Sequence, residues 1–323
     1  GMKGYTATLP NGEATVYIDR KRWLWLLSVA YPLEPLIGMG LHSVTGNEWW
    51  LLLPFLLNFG FGPVIDWVLG EDRNNPPEEV VIQLDRDRYY RRLTYATVPL
   101  HFLTLIVACW YGATQALSIP GFIGLALVTG MTAGLAINTG HELGHKISRL
   151  VKWLAKIVLA VPAYGHFTID HNLGHHRNVS TPGDPASARM GESIYKFAAR
   201  EIPGAFREAW TIEKDRLQRR ERPVWHPNNQ ILQSYYVTAM LTVALVAAFG
   251  WLMVPFLLLH HVSAYWQLTS ANYIEHYGLL REQDENGRFE RCEPRHSWNS
   301  NHVFSNLVLF HLERHSDHHA NPL

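Results

Sequence analysis

The strongest constraint on this chain is where its basic residues are missing. Six apolar stretches, at about 23–42, 49–70, 93–117, 119–140, 231–251 and 252–277, each reach the roughly 20 residues that a bilayer-spanning helix requires. With the N-terminus on the cytoplasmic side, the inside segments are 1–22, 71–92, 141–230 and 278–323. They hold four, five, fourteen and five Lys/Arg, which is all 28 in the chain, and the three outside connections hold none. Cytoplasmic loops of membrane proteins carry the Lys/Arg excess, so one pattern argues for both the number of spans and their orientation. The expected fold is an all-α integral membrane protein, a single domain over 1–323. Six transmembrane helices would carry a cytoplasmic helical cap built from 141–230 and 278–323. The third and fourth spans are separated only around Ile119-Pro120-Gly121, and the fifth and sixth meet near Gly250, as hairpins turning at the far surface would.

Other uses of the apolar segments fit less well. Arg20-Lys21-Arg22 precedes an apolar run as in a secretory signal, but the run is too long, contains Pro32, Glu34 and Pro35, and lacks a small-residue cleavage site. Residues 150–165 begin amphipathically, with Lys152 and Lys156 one turn apart, and read as an interfacial helix. Residues 71–92 form a loop with turn chemistry at Asn74-Asn75-Pro76-Pro77. Residues 184–222 read as a charged helix whose charges form a solvated face, with docking of an acidic partner as the sharper reading. The formal net charge is zero, which gives no pull toward nucleic acid. Cys109 and Cys292, the only two cysteines, are expected as unpaired thiols and cannot build a cysteine-ligated iron centre.

The chemistry lies in 18 histidines. One cluster is Asn138-Thr139-Gly140-His141-Glu142-Leu143-Gly144-His145. On a helix, i and i+4 share a face, so His141 and His145 can bind one metal. His171 and His175 repeat that spacing, with His176 adjacent. His276 follows Glu275 at the inner end of the sixth stretch. His315 pairs with His318 at i+3 and His319 at i+4. These nine candidate ligands exceed the roughly four to six that one first-row ion takes, so two ions are expected. Imidazole suits iron, zinc, copper or nickel, and ligand type alone does not choose among them. Ligating imidazoles usually donate their second N–H to a carboxylate, amide or carbonyl. Glu142, Asp170, Glu275, Asp317 and Asn138 stand beside ligands and suit that role better than direct ligation. His260 and His261 lie within a span, where polar groups usually face an interior; cavity lining or interhelical hydrogen bonding is expected of them rather than ligation.

The stretches NTGHELGHK (138–146), HNLGHH (171–176), NYIEHYG (272–278) and LERHSDHHANP (312–322) resemble the membrane alkane 1-monooxygenases, and so do GEDRNNPPEEV (70–80), DPASARMGE (184–192) and HSWNSN (296–301). The resemblance covers nearly the whole chain. It implies two iron ions held by the nine histidines, O2 as co-substrate, and electrons from a separate rubredoxin that is itself reduced by rubredoxin reductase. It also implies an alkane substrate reaching the irons from the bilayer of the bacterial inner (cytoplasmic) membrane. Terminal hydroxylation would then yield a primary alcohol. Asp170 stands where the family usually has Glu, Leu173 where Arg is common, and Glu313 where Gln is usual; none removes a ligand. Family members usually continue past the last histidine box, so a truncated chain is expected at Leu323.

Rival readings remain at this point. A fatty-acyl desaturase or hydroxylase, or a xylene-type methyl monooxygenase, shares histidine boxes. His141-Glu142-Leu143-Gly144-His145 is also literally the H-E-x-x-H zinc protease motif, with Glu142 as general base. That reading leaves most of the seven other clustered histidines without a role. A metal transporter would place its ligands at the bilayer midplane rather than at the inner surface.

Overall fold

The structure, a computed structural model, describes residues 3–8, 14–19, 30–61, 88–144, 149–169 and 190–276. An antiparallel hairpin opens it, β1 (Lys3–Thr8) and β2 (Ala14–Asp19), in a register that pairs Lys3 with Asp19 and Thr8 with Ala14. This corrects the all-α expectation at the N-terminus: alternating residues around Pro10-Asn11-Gly12 suit two paired strands. Every other described element is helical.

The first long helix, α1 (Glu34–Thr45), follows a 3₁₀ turn at Tyr31–Leu33 and ends at Gly46, whose positive φ of 71° supplies the left-handed cap. The second predicted span is broken in its described part. It runs as a 3₁₀ turn (Glu48–Leu52), one α turn (Leu53–Leu56) and a π turn (Leu57–Phe61), with Pro54 unable to donate to the ladder. The remainder of the first two predicted spans lies outside the described residues. The other four stretches form continuous helices close to their expected limits. They are α2 (Arg88–Thr114), α3 (Ile119–Gly144), α6 (Gln230–Phe249) and α7 (Met253–His276). Between them lie α4 (Arg149–Leu159) and α5 (Ile194–Arg219). Tyr95–Thr114 and Gln230–Phe249 are long and apolar enough to cross a bilayer, and Ile119–Gly134 is a shorter apolar stretch.

The core is a layer shared by α2, α3 and α7. Leu105, Ala108 and Cys109 meet Leu125, Ala126 and Ala133, and Met253, Phe256 and Leu257 close the cluster. Helices α3 and α7 are the most closely packed pair, because Gly130 and Gly134 let the backbones approach. A Cβ at Gly130 would lie 2.1 Å from the His260 carbonyl oxygen, and one at Gly134 would meet the Gln267 side chain at 2.4 Å. Ser263 Oγ donates to the Leu127 carbonyl at 2.7 Å across the same seam. The seam advances from Gly130 opposite His260 to Gly134 opposite Gln267, so the two helices run parallel and finish at the same end. At the other end, the Glu48 carboxylate accepts from Ser118 Oγ at 2.8 Å, beside the positive start of α3.

The amphipathic expectation for 150–165 is met by α4. Val151, Ala155, Val158 and Leu159 are buried against α3, while Leu150 and Lys152 are exposed and Trp153 is 39% exposed. Outward faces elsewhere are apolar: Tyr236, Met240 and Val243 form an exposed stripe one or two turns apart on α6.

Candidate metal centre

The parallel pair α3 and α7 positions two of the four histidine clusters. Asn138, His141 and Glu142 occupy the last two turns of α3, and Glu275 and His276 form the last turn of α7. Carried past Gly134 and Gln267, the same register sets His141 level with the end of α7. The described parts of the first and third clusters therefore stand at the same end of the bundle. His145, His171, His175, His176, His315, His318, His319, Asp170 and Asp317 lie outside the described residues. The approach to the second cluster is described: the helical turn Phe167–Ile169 packs against α3 and ends immediately before Asp170. Phe167 and Tyr164 are buried in one cluster with Ile137, one turn ahead of His141, and with Val158 and Leu159 of α4. The candidate donors read from the sequence are imidazoles with flanking carboxylates and an amide, a combination that would suit iron among other first-row metals.

A cap of buried polar groups borders this end. His166 is 2% exposed, stacks on Tyr164 at 4.4 Å between ring centroids, and shares a 2.9 Å hydrogen bond from Nδ1 to the Tyr235 hydroxyl. Burial pushes its pKa down to about 3, so the ring is neutral. Tyr235 is also hydrogen-bonded to Tyr265, which donates to the Ala163 carbonyl. On α4, burial lowers the Lys156 ammonium from its ordinary value while Glu213 opposes that shift; Lys156 Nζ donates to Gln233 Oε1 at 2.8 Å.

The charged helix has the expected solvated face, with Lys196, Arg207, Lys214, Asp215 and the run Arg219 to Arg222 exposed, but it also carries a buried stripe that the sequence reading did not anticipate. Phe197, Glu201, Ala205, Ala209, Glu213 and Leu217 follow a four-residue step along α5, and all are buried. Two carboxylates are therefore inside. Asn272 Nδ2, one turn before His276, donates to Glu201 Oε1 at 3.2 Å, and the Tyr273 hydroxyl donates to the Glu192 carbonyl at 2.7 Å. These contacts fasten the end of α7 to the cap. Sequence reasoning passed over Glu201 because its charged neighbours masked the stripe; the four-residue spacing was the available signal. Glu213 pairs with Arg216 and accepts from the Gln230 N–H at 3.3 Å, joining α5 to the start of α6.

Of the span histidines, His260 is interior and His261 half-buried, and the hydrogen bond they share joins neighbours on α7 rather than two helices. His101 and His260 are buried, and His260 Nδ1 lies 3.0 Å from His261 Nδ1. Among the described residues no three His, Cys, Asp or Glu side chains are grouped to hold a metal ion.

Known proteins resemble this chain over most of its length. The family model described as Fatty acid desaturase matches residues 116–323, a stretch containing all four histidine clusters. Alkane 1-monooxygenase 1 of Alcanivorax borkumensis is 57% identical over 306 residues, covering 95% of this chain and 76% of that protein. Alkane 1-monooxygenase of Pseudomonas putida is 54% identical over 323 residues, covering 99% and 79% respectively. The xylene/toluene monooxygenase hydroxylase component XylM of Pseudomonas putida is 26% identical over 211 residues, with 64% and 54% covered. Identity is thus much higher, and coverage wider, toward the alkane enzymes than toward the xylene enzyme. The chain is a monooxygenase that belongs to the fatty acid desaturase family and, within it, to the alkane 1-monooxygenases.

Proposed function

We propose that this enzyme hydroxylates the terminal carbon of n-alkanes to primary alcohols, using O2 and electrons from rubredoxin. Its site would be a di-iron centre held by His141, His145, His171, His175, His176, His276, His315, His318 and His319. The observation that carries the reading is the parallel pairing of α3 and α7, whose coincident ends bear two of the four clusters. When bound, the irons supply O2 activation. The chain's own residues do the rest. The imidazoles orient the ions, and Asn138, Glu142, Asp170, Glu275 and Asp317 fix the rings by accepting their outer N–H groups. Asn272 and Glu201 hold the end of α7 in place.

An alkane offers no polar handle, so selection rests on shape and apolar contact. The exposed apolar stripe of α6 and the apolar layer of α2, α3 and α7 suit a bilayer setting from which such a substrate partitions. In this reading six spans lie in the bacterial inner membrane with the N-terminus and the site facing the cytoplasm, where a soluble rubredoxin, reduced by its reductase, can reach them. The chain's two cysteines cannot form a four-cysteine iron site, so the electron donor is a separate protein or domain.

The test is elemental mass spectrometry of detergent-purified protein beside His276→Ala and His318→Ala, followed by product analysis with octane, xylene and an acyl substrate. About two irons per chain, lowered in both variants, with 1-octanol as the main product, is the expected result. Zinc unaffected by either substitution, or a preference for the acyl substrate or xylene, overturns it.

A further inference from the structure

One aromatic series runs from the apolar cluster around Ile137, one turn ahead of His141, to the surface, although Tyr265 itself stands three turns before the end of α7. Tyr265 of α7 and Tyr164 lie 4.3 Å apart between ring centroids, beside Ile137 and Phe167. Tyr265 is hydrogen-bonded to Tyr235, and Tyr235 lies 6.4 Å from Phe206. Phe206 stacks on Trp210 at 5.9 Å with only 16° between the rings, and Trp210 lies 5.6 Å from Trp225. Trp225 is 73% exposed. Each step is short enough for electron tunnelling through packed rings, and every ring but Phe206 can be oxidised by one electron.

From this geometry we propose that the series Tyr265–Tyr235–Trp210–Trp225 is a hole-transfer path that discharges misplaced oxidising equivalents from the catalytic end to solvent. The inference rests on oxygen being activated where α3 and α7 end. An oxidising equivalent left there without substrate takes an electron from Tyr265, whose phenolic proton shifts from the Ala163 carbonyl to the oxygen of the hydrogen-bonded Tyr235 as Tyr235 passes its own proton to His166 Nδ1. That hole is refilled from Tyr235, Trp210 and Trp225 in turn. While Tyr235 is oxidised, its phenolic proton rests 2.9 Å away on His166 Nδ1, and it returns on reduction. A neutral imidazole is the form that can accept it. Trp225 releases its indole proton to water and is reduced by a soluble thiol. Two passages deliver two electrons, two protons are taken from solvent, and oxygen leaves as water; two thiols become one disulfide. Tyrosine and tryptophan yield electrons only to strong oxidants, so the path is silent toward the donor that drives normal turnover.

Pulse radiolysis tests conduction without relying on the metal. Azidyl radicals applied to the purified full chain oxidise exposed tryptophan, and the indolyl absorbance should decay as the tyrosyl band grows. The rate should be first-order and independent of protein concentration, and Trp210→Phe and Trp225→Phe should each cut the tyrosyl yield several-fold. The second readout is peptide mass spectrometry after reaction with O2 and reduced donor but no alkane. Oxidation should fall on Trp225 in the parent, and on Tyr265 in Trp210→Phe, which should lose activity several-fold faster while turning over alkane normally at the outset. An unchanged tyrosyl yield in both variants, or the same oxidation sites and lifetime in Trp210→Phe, overturns the path. Absence of iron or of alkane turnover would sink the di-iron reading instead and leave the radiolysis result standing.

Discussion

Replacing Gly130 with Ala tests whether the α3–α7 seam sets the geometry of the catalytic end. The added Cβ would sit 2.1 Å from the His260 carbonyl oxygen, about 1.3 Å short of the 3.4 Å at which ordinary contact begins. The obstacle is backbone, so no rotamer change relieves it and the helices must separate or slide. Overpacking of this kind costs about 1–3 kcal/mol. A shift of about 1 Å at the reacting geometry can also lower turnover about 100-fold. Both effects should appear, the first as a lowered Tm in detergent and the second as lost alkane hydroxylation. Two further glycines calibrate the argument. Gly134→Ala meets the flexible end of Gln267 and should be milder, because that side chain can swing away. Gly40→Ala, inside α1 with nothing within 4 Å, should be neutral or stabilising by about 0.5–1 kcal/mol through the lower entropy of the unfolded chain. A Gly130→Ala enzyme with parental Tm and turnover would refute the claim that this contact fixes the register of the two histidine-bearing ends.

Further predictions follow from individual contacts. Asn229 is fully buried, caps α6 by accepting from the Ile231 and Leu232 N–H groups at 3.0 and 3.1 Å, and donates to Val224; Asn229→Ala should cost about 1–2 kcal/mol in denaturant unfolding. His166 has an ordinary pKa of 6.5 and a folded value near 3. Between those values the unfolded chain binds the extra proton, so stability should fall as pH drops from 6.5 toward 3, by up to about 1.4 kcal/mol per unit. His166→Phe should flatten that slope relative to the parent, and an identical pH dependence of Tm would count against a neutral buried ring. Asn272→Leu removes the donor to Glu201 one turn before His276; bound iron should be released faster to a chelator, while an unchanged release rate would separate this contact from the metal site.

Much of this protein was legible in the sequence because two kinds of pattern are local. Long apolar runs predict helices whatever they pack against, and four of the six emerged as continuous helices within a few residues of their expected limits. Histidines at i and i+4 share a helix face whatever the fold, which made the pairs His141/His145, His171/His175 and His315/His319 visible, and His176, His276 and His318 were added by their place beside such pairs or at the end of a span. The broken course of Glu48–Phe61 was less so. Its hydropathy is that of a span, and the choice among 3₁₀, α and π turns depends on Pro54 and on neighbours such as the Trp50 carbonyl, which lies 2.7 Å from where a Cβ on Gly38 would stand.

Partnership was decided only in three dimensions. The charge pattern already sends the fourth and sixth spans to the same face, but nothing in the spacing Gly130–Gly134 says that these two helices pack against each other or that the opposing backbone is His260. The same holds for Glu201 and Glu213. Composition places them on a solvated charged helix, while the fold buries them, because Asn272, Arg216 and the Gln230 N–H supply hydrogen bonds that offset the loss of water. The physical reason is that hydrophobicity and helical periodicity are properties of a segment, whereas desolvation, close approach and hydrogen-bond satisfaction are properties of a pair. The sequence by itself therefore determined the helices and the candidate ligands, and the tertiary structure decided which helices pack together, which charges go inside, and how an aromatic series comes to run from the cluster around Ile137 to solvent.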